Sequence, residues 1–152
     1  MNLLSDLELA EIVANKIFSV SQEMRFDTWG FVIMPNHCHL LCFCREDPHS
    51  VSDYLASIKR QSARECFIAK PSLRNLCVSP RRDREDEYRL WMPGGGFDKN
   101  ISDPDAILNS LEYIHLNPVK KGLCETAIAW RFSSASFYET GVSEWPLVRY
   151  PG

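Results

Sequence analysis

Phe31-Val-Ile-Met-Pro-Asn-His37-Cys38-His39-Leu-Leu41 decides how the rest of this chain is read. Aromatic and β-branched residues run up to Ile33, Pro35-Asn36 supplies a turn, and an apolar run resumes at Leu40, the pattern of a β-hairpin. In a strand, residues i and i+2 point to one face, roughly 6–7 Å apart. His37 and His39 can therefore converge on one metal ion while Cys38 turns into the opposite layer. The apolar flanks suggest a buried sheet, a rigid platform for a site. Ordinary core or surface histidines fit the same spacing, because the supporting hydrogen bonds of a metal site are not visible in a sequence.

Around this hairpin the pattern alternates helices and short strands. Ser5-Asp6 caps a helix expected to run to about Phe18, with Leu7, Leu9, Ile12, Val13, Ile17 and Phe18 on its apolar side. Phe26 to Ile33 and His37 to Cys44 are the two strands. Asp47-Pro48 breaks the pattern before a helix expected over Val51 to Ala69, with Val51, Leu55, Ile58 and Phe67 along one side. Residues 70–87 read as a charged loop, Tyr88 to Met92 as a short strand and Gly94-Gly95-Gly96 as a joint. Asp103-Pro104 opens a further helix with proline at its first position. That helix is expected to fade near Asn117, because the residue before a proline disfavours the α region.

The chain has 152 residues, 45% of them hydrophobic and 24% charged, which suits one globular domain over residues 1–152 and argues against wholesale disorder. No apolar run approaches a membrane span and the N-terminus lacks a signal peptide's basic start, so a cytoplasmic protein is expected. The six cysteines show no pairing pattern and read as reduced thiols. Net charge is −3 but unevenly spread. Residues 1–53 carry three basic and eight acidic side chains, and residues 85–152 carry six and ten. Residues 54–84 carry eight basic (Lys59, Arg60, Arg64, Lys70, Arg74, Arg81, Arg82, Arg84) against two acidic. This basic middle is either a phosphate-binding surface or a solvated helix and loop. Lys59, Arg60, Arg64, Arg81, Arg82 and Arg84 are its candidates for holding a nucleic-acid backbone, and Tyr88 and Trp91 are either base-stacking or core aromatics.

On the helix from Pro104, at about 100° per residue, Ile107, Leu108, Leu111, Ile114 and His115 cluster on one side. Ala106, Ser110, Tyr113 and Asn117 fall on the other. Tyr113 and Asn117 stack four residues apart, so a phenol and a carboxamide can approach one ion and one substrate. A half-buried packing tyrosine and an asparagine capping a turn at Pro118 remain open alternatives.

Four motifs occur in order: Met34-Pro-Asn-His-Cys-His-Leu-Leu41, Trp91-Met-Pro-Gly-Gly-Gly-Phe-Asp98, Tyr113-Ile-His-Leu-Asn-Pro-Val-Lys-Lys-Gly-Leu123 and Trp130-Arg-Phe-Ser-Ser-Ala135. Over about residues 25–140 the chain resembles the REP-associated tyrosine transposases, relatives of the smallest single-strand transposases of the HUH superfamily. The resemblance implies an α+β, ferredoxin-like antiparallel sheet with helices packed on one face. It implies that His37 and His39 are the HUH histidines, Tyr113 the nucleophile and Asn117 the third ligand of a divalent metal, Mg²⁺ or Mn²⁺. It implies single-stranded or hairpin DNA as partner, a homodimer, and attack of Tyr113 on a DNA phosphate to leave a 5′-phosphotyrosine. Trp130, Phe132 and the two serines are expected to anchor the C-terminal segment.

The family pattern places a strand before the first helix, whereas Met1-Asn-Leu-Leu leads almost directly into the helix here. The first strand is therefore expected to be missing, by a misplaced start codon or truncation. A relative that binds hairpin DNA without cutting it is the alternative function. A zinc module of His37, His39, Cys42 and Cys44 is disfavoured, because the cysteines occupy strand positions of opposite parity to the histidines.

Overall fold

The carboxylate of Asp6 accepts hydrogen bonds from the backbone N–H groups of Glu8 (3.0 Å) and Leu9 (3.4 Å), which satisfies two orphan donors and starts α1 (Leu7–Glu23). Lys70 closes an ion pair onto the same carboxylate. The structure, a computed structural model, describes residues 2–46, 51–79, 87–88, 90–91 and 101–152. Arg81, Arg82, Arg84 and the three glycines at 94–96 lie outside the described residues. No described helix is long and apolar enough to cross a membrane.

Helix α1 runs a full turn beyond the end expected at Phe18. Ser and Val there are weak helix formers, but Val20 and Ser21 are buried, and the Ser21 hydroxyl donates to the Ile17 carbonyl (2.6 Å). Arg25 then takes φ 60°, the left-handed conformation that reverses the chain after a helix. Strand β1 (Phe26–Ile33) pairs antiparallel with β2 (Cys38–Cys44), with Val32 opposite His39 and Ile33 opposite Cys38. A bulge at Trp29 shifts the register between Thr28 and Gly30. Helix α2 (Val51–Ala69) lies against α1, and a two-residue ladder joins β3 (Val78–Ser79) to β4 (Glu87–Tyr88). A 3-10 turn over Pro71–Asn75 and strand β3 thus break the expected charged loop. Helix α3 (Pro104–Lys120) and short helix α4 (Ala135–Thr140) complete the order.

The α+β antiparallel architecture is as the sequence implies, and the hairpin is covered on both faces. Helices α1 and α2 form the expected layer on one face, where Phe26, Phe31 and Ile33 join Leu9, Val13, Ile17, Phe18, Tyr54 and Ile58 in the main core. Helix α3 adds a second layer on the other face, where Val32 and Met34 meet Ile114. Gly30 permits that close approach: a Cβ there would lie 2.6 Å from Leu111 Cδ2. The outer edge of β1 is taken by the C-terminal segment, through Ile33 N to Phe132 O (2.9 Å), Ser134 N to Phe31 O (3.0 Å) and Val148 N to Thr28 O (3.0 Å). The Trp130 indole donates to Ile33 O (2.9 Å) and the Phe31 N–H to Ser134 Oγ (3.0 Å), so these residues anchor the segment. Ahead of α1 the described residues form one 3-10 turn (Leu3–Ser5), and Leu4 N donates to Pro35 O (2.8 Å).

Two expectations shift. The buried stripe of α2 is Tyr54, Ile58, Ser62 and Cys66, joined by Phe67, while Val51 and Leu55 are half-buried. Ser62 is tolerated there because its hydroxyl donates to Ile58 O (2.6 Å) and accepts from the Trp91 indole (2.9 Å). Helix α3 continues past Asn117 to Lys120 because the Pro118 ring is fully buried. The following amides close the end, Lys121 N on Asn117 O (3.0 Å) and Leu123 N on Pro118 O (2.9 Å). Burial of the ring outweighs the local preference against α geometry before proline.

Candidate active site

The hairpin turn sets the first two side chains. Met34 N donates to His37 O (2.7 Å), closing the tip around Pro35 and Asn36. His37 Nδ1 lies 2.6 Å from Asn36 Oδ1. A protonated Nδ1 donating to that carboxamide leaves Nε2 with its lone pair facing outward, the arrangement of a supported metal-binding histidine. His39, opposite Val32, is on the α3 face, and its ring stands 4.9 Å from that of His37 at 84°. Burial lowers the pKa of both imidazoles from the ordinary value; for His37 the Lys121 charge adds to this, for His39 the neighbouring His37 does. Both are therefore neutral, lone-pair-bearing rings at neutral pH.

Helix α3 brings the third group. Leu111 and Ile114 dock on Gly30, Val32 and Met34, which fixes the rotation of the helix. Tyr113 then emerges beside the sheet, 52% exposed, with its ring centroid 5.6 Å from that of His39. Among the described residues its hydroxyl has no hydrogen-bond partner. Lys120 Nζ sits 5.9 Å from the centre of the Tyr113 ring. Asn117, one turn beyond Tyr113, is buried at 3% exposure on the inner side of the same end of α3.

His115 acts on the far side of α3. Its Nε2 is 2.7 Å from Ser134 Oγ, the oxygen that also accepts from Phe31 N, so strand, helix and C-terminal segment meet at one hydroxyl. Burial pushes the His115 pKa down to about 4. A folded-state value below the unfolded one means protonation favours unfolding. Its contribution is full above pH ~6.5 and lost as pH falls through ~4, up to roughly 3 kcal/mol. Chemical denaturation between pH 7 and pH 4 is expected to fall more steeply for the parent than for His115→Gln. Parallel slopes would contradict this assignment.

The structure thus brings together His37, His39 and Tyr113, with Asn117 at the adjoining turn. Exposed Arg60 and Arg64 and half-buried Lys59 lie on α2, the layer opposite His39, and so stand apart from this cluster. Trp91 donates to Ser62 and packs against the main core, which favours its reading as a core aromatic. Cys42 and Cys44 pack against that core too, on the face away from the histidines, so the four-ligand zinc arrangement does not form. None of the six cysteines is in a disulfide, and burial pushes the Cys38 thiol up to about 12. Sequence reasoning passed over Asn36, which meets His37, and Lys120, which lies near the Tyr113 ring; the turn asparagine next to an H-x-H pair was the available signal.

Two neutral imidazoles with a carboxamide one helical turn from Tyr113 are borderline nitrogen and oxygen donors, which fit a divalent ion such as Mn²⁺ better than Mg²⁺. Among the described residues no third His, Cys, Asp or Glu joins them.

No family model matches the chain. It is 30% identical over 112 residues to a protein of Haemophilus influenzae assigned as a REP-associated tyrosine transposase, covering 72% of this chain and 58% of that one. It is 23% identical over 124 residues to the REP-associated tyrosine transposase of Escherichia coli, covering 82% of this chain and 63% of that one. The chain therefore spans about three fifths of the length of these curated relatives. A solved REP-associated tyrosine transposase bound to a REP hairpin superposes with TM-score 0.71 at 19% identity, covering 100% of this chain and 81% of the other, which shows the shared fold.

Proposed function

We propose that this chain, a relative of the REP-associated tyrosine transposases, is a metal-assisted DNA strand-transfer nuclease that uses Tyr113 to attack a phosphate of single-stranded or hairpin DNA. One observation carries the reading: the exposed Tyr113 ring touches His39, and His39 stands beside His37, with centroids 5.6 and 4.9 Å apart. A nucleophile and two lone-pair donors share one solvent-facing corner. The relative solved with a REP hairpin supports the class of substrate.

In this reading Tyr113 Oη forms a bond to phosphorus as the P–O3′ bond breaks. The phenolic proton passes to solvent, the departing 3′ oxygen takes up a proton, and the 5′ end stays on Tyr113. The ester conserves the phosphodiester bond energy, so strands can be rejoined without a nucleotide cofactor. His37 and His39, with Asn117 as the third protein donor, would hold Mg²⁺ or Mn²⁺, which when bound neutralises charge on the phosphate and orients it. Asn36 keeps His37 in the tautomer that can bind. The exposure of Tyr113 gives a strand access, and its packing beside His39 limits the directions of attack. Lys59, Arg60 and Arg64, on the layer opposite His39, are assigned to DNA backbone away from the bond that is cut, and Arg81, Arg82 and Arg84 are assigned to DNA backbone by their charge alone. A homodimer belongs to the same proposal.

The test is incubation of the folded protein with labelled single-stranded hairpin DNA and Mn²⁺. A covalent protein–DNA species is expected, suppressed by chelator and restored by fresh Mn²⁺. Cleavage that leaves free 5′-phosphate and no adduct would contradict the tyrosine mechanism. Hairpin binding without any cleavage would select the binding-only alternative.

A further inference from the structure

Strand β2 carries the histidine face on to an exposed aromatic surface. His39, Leu41 and Phe43 are alternate residues of the strand and share one face. Leu41 packs against Val32, Met34 and Ile114 on that face, while Cys38, Leu40, Cys42 and Cys44 pack against the main core on the other. Helix α3 docks over Gly30, Val32 and Met34 of β1 and leaves no residue of β2 buried. Phe43 is 49% exposed, and its ring lies flat against that of Trp29, with centroids 5.3 Å apart at 7°. Tyr150 meets the Trp29 ring at 4.9 Å and 59°. None of these three aromatics belongs to either core cluster of the described residues.

The aromatic surface is held in place from behind. The bulge takes Trp29 out of the regular alternation of β1. The Trp29 carbonyl accepts from the Tyr138 hydroxyl (2.6 Å), which in turn accepts from Tyr150 N (3.1 Å). A simpler account is a cross-strand aromatic pair that stabilises the end of the hairpin. That account requires only that the two rings touch. It does not require the pair to stand on the histidine face, in line with His39 and half open to solvent. With one face of the Phe43 ring covered by Trp29, what remains exposed is its other face and its edge.

We propose that Phe43, backed by Trp29, is a stacking platform for an unpaired base of the DNA strand that enters the active site. From His39 to Phe43 is four residues, ~13 Å along the strand. A DNA strand covers that distance in about four nucleotide steps at the stacked rise of ~3.4 Å, and in fewer when stretched. The proposal rests on the nuclease reading for the position of the reacting phosphate. It adds the path by which the strand leaves that phosphate, along β2 on the face of His39. An aromatic face accepts any base, so the platform contributes affinity and register without choosing sequence.

Binding in EDTA reads the platform without cleavage. A labelled hairpin carries single-stranded flanks on both sides of its stem, and abasic sites replace the flanking nucleotides one at a time. For the parent protein, Kd by fluorescence anisotropy is expected to rise ~10-fold at one flank position, the scale of a single base–aromatic stack. Phe43→Leu should bind the intact hairpin ~10-fold more weakly and lose nothing further at that abasic position, since the two changes remove one contact. Phe43→Tyr keeps a ring and should keep the abasic penalty. If Phe43 serves the fold alone, Phe43→Leu will show the same abasic penalty as the parent, and that result overturns the platform. A parent indifferent to every flanking base overturns it as well, with no substitution involved. Sedimentation of the free protein tests the other occupant, a second copy of this chain. A dimer that becomes monomeric in Phe43→Leu, with the abasic penalty unchanged, would assign the face to self-association and overturn the platform. With Mn²⁺ added, adduct formation without the abasic coupling would sink the platform alone. Abasic coupling in a protein that forms no adduct would sink the nuclease reading and leave the platform as a single-strand contact.

Discussion

Tyr113→Phe is expected to abolish the covalent intermediate, lowering strand cleavage at least ~10⁴-fold, because no other group replaces a nucleophile once its oxygen is gone. The substitution removes one oxygen from a side chain that is 52% exposed, and the contact of the ring with His39 remains. Thermal stability and hairpin affinity are therefore expected to match the parent within error. That separation is what makes the variant informative, since loss of chemistry with binding and folding intact assigns Tyr113 to the reaction. Residual cleavage within tenfold of the parent would assign the nucleophile elsewhere.

The largest effect on stability is expected at Tyr54, on the opposite layer. Its side chain is fully buried, its ring stacks on Phe26 with centroids 4.0 Å apart at 6°, and its hydroxyl is 2.7 Å from Ser21 Oγ. Ser21 in turn meets the Ile17 carbonyl (2.6 Å) and accepts from Thr28 Oγ1 (3.3 Å), so one phenol ties α2 to α1 and β1. Tyr54→Ala opens a cavity at that junction and is expected to cost ~3–5 kcal/mol. Tyr54→Phe keeps the ring and removes one hydrogen bond, for ~1 kcal/mol. Against a typical domain stability of ~5–15 kcal/mol, the alanine change is a large fraction of the whole. Urea denaturation measures both. A loss under ~1.5 kcal/mol for Tyr54→Ala would contradict its place at the centre of the core.

The histidine pair, its strand parity and the exposure of Tyr113 were legible because each follows from a strict period, two in a strand and 3.6 in a helix. Cys38, Cys42 and Cys44 fall on the layer away from His39 for the same reason. The same wheel put Asn117 with Tyr113 on the polar side, yet Asn117 is buried at the inner side of α3. A four-residue step rotates the helix by ~40°, enough to carry a side chain from the rim, where Tyr113 is 52% exposed, to the interior, where Asn117 is 3% exposed. Tyr54 and Ser62 escaped notice because counting apolar residues along α2 favoured Val51 and Leu55, whereas the buried stripe uses polar groups that find partners in Ser21 and Trp91. The bulge at Trp29 has no signature in the run Phe26–Ile33 beyond the glycine beside it. Lys120 was overshadowed by the basic block at residues 54–84. Charge summed along a chain does not say which face it reaches, and Lys120 meets the Tyr113 ring two turns earlier on the same helix.

The central claim is that a tyrosine on α3, set beside two sheet histidines, becomes covalently joined to DNA. Its most direct test is to trap the adduct with a single-stranded hairpin and Mn²⁺, digest both partners, and locate the nucleotide-bearing peptide by mass spectrometry. The expected result is a 5′-phosphonucleotide on Tyr113 alone. A nucleotide on any other residue, or none from folded protein that binds the hairpin, would contradict it.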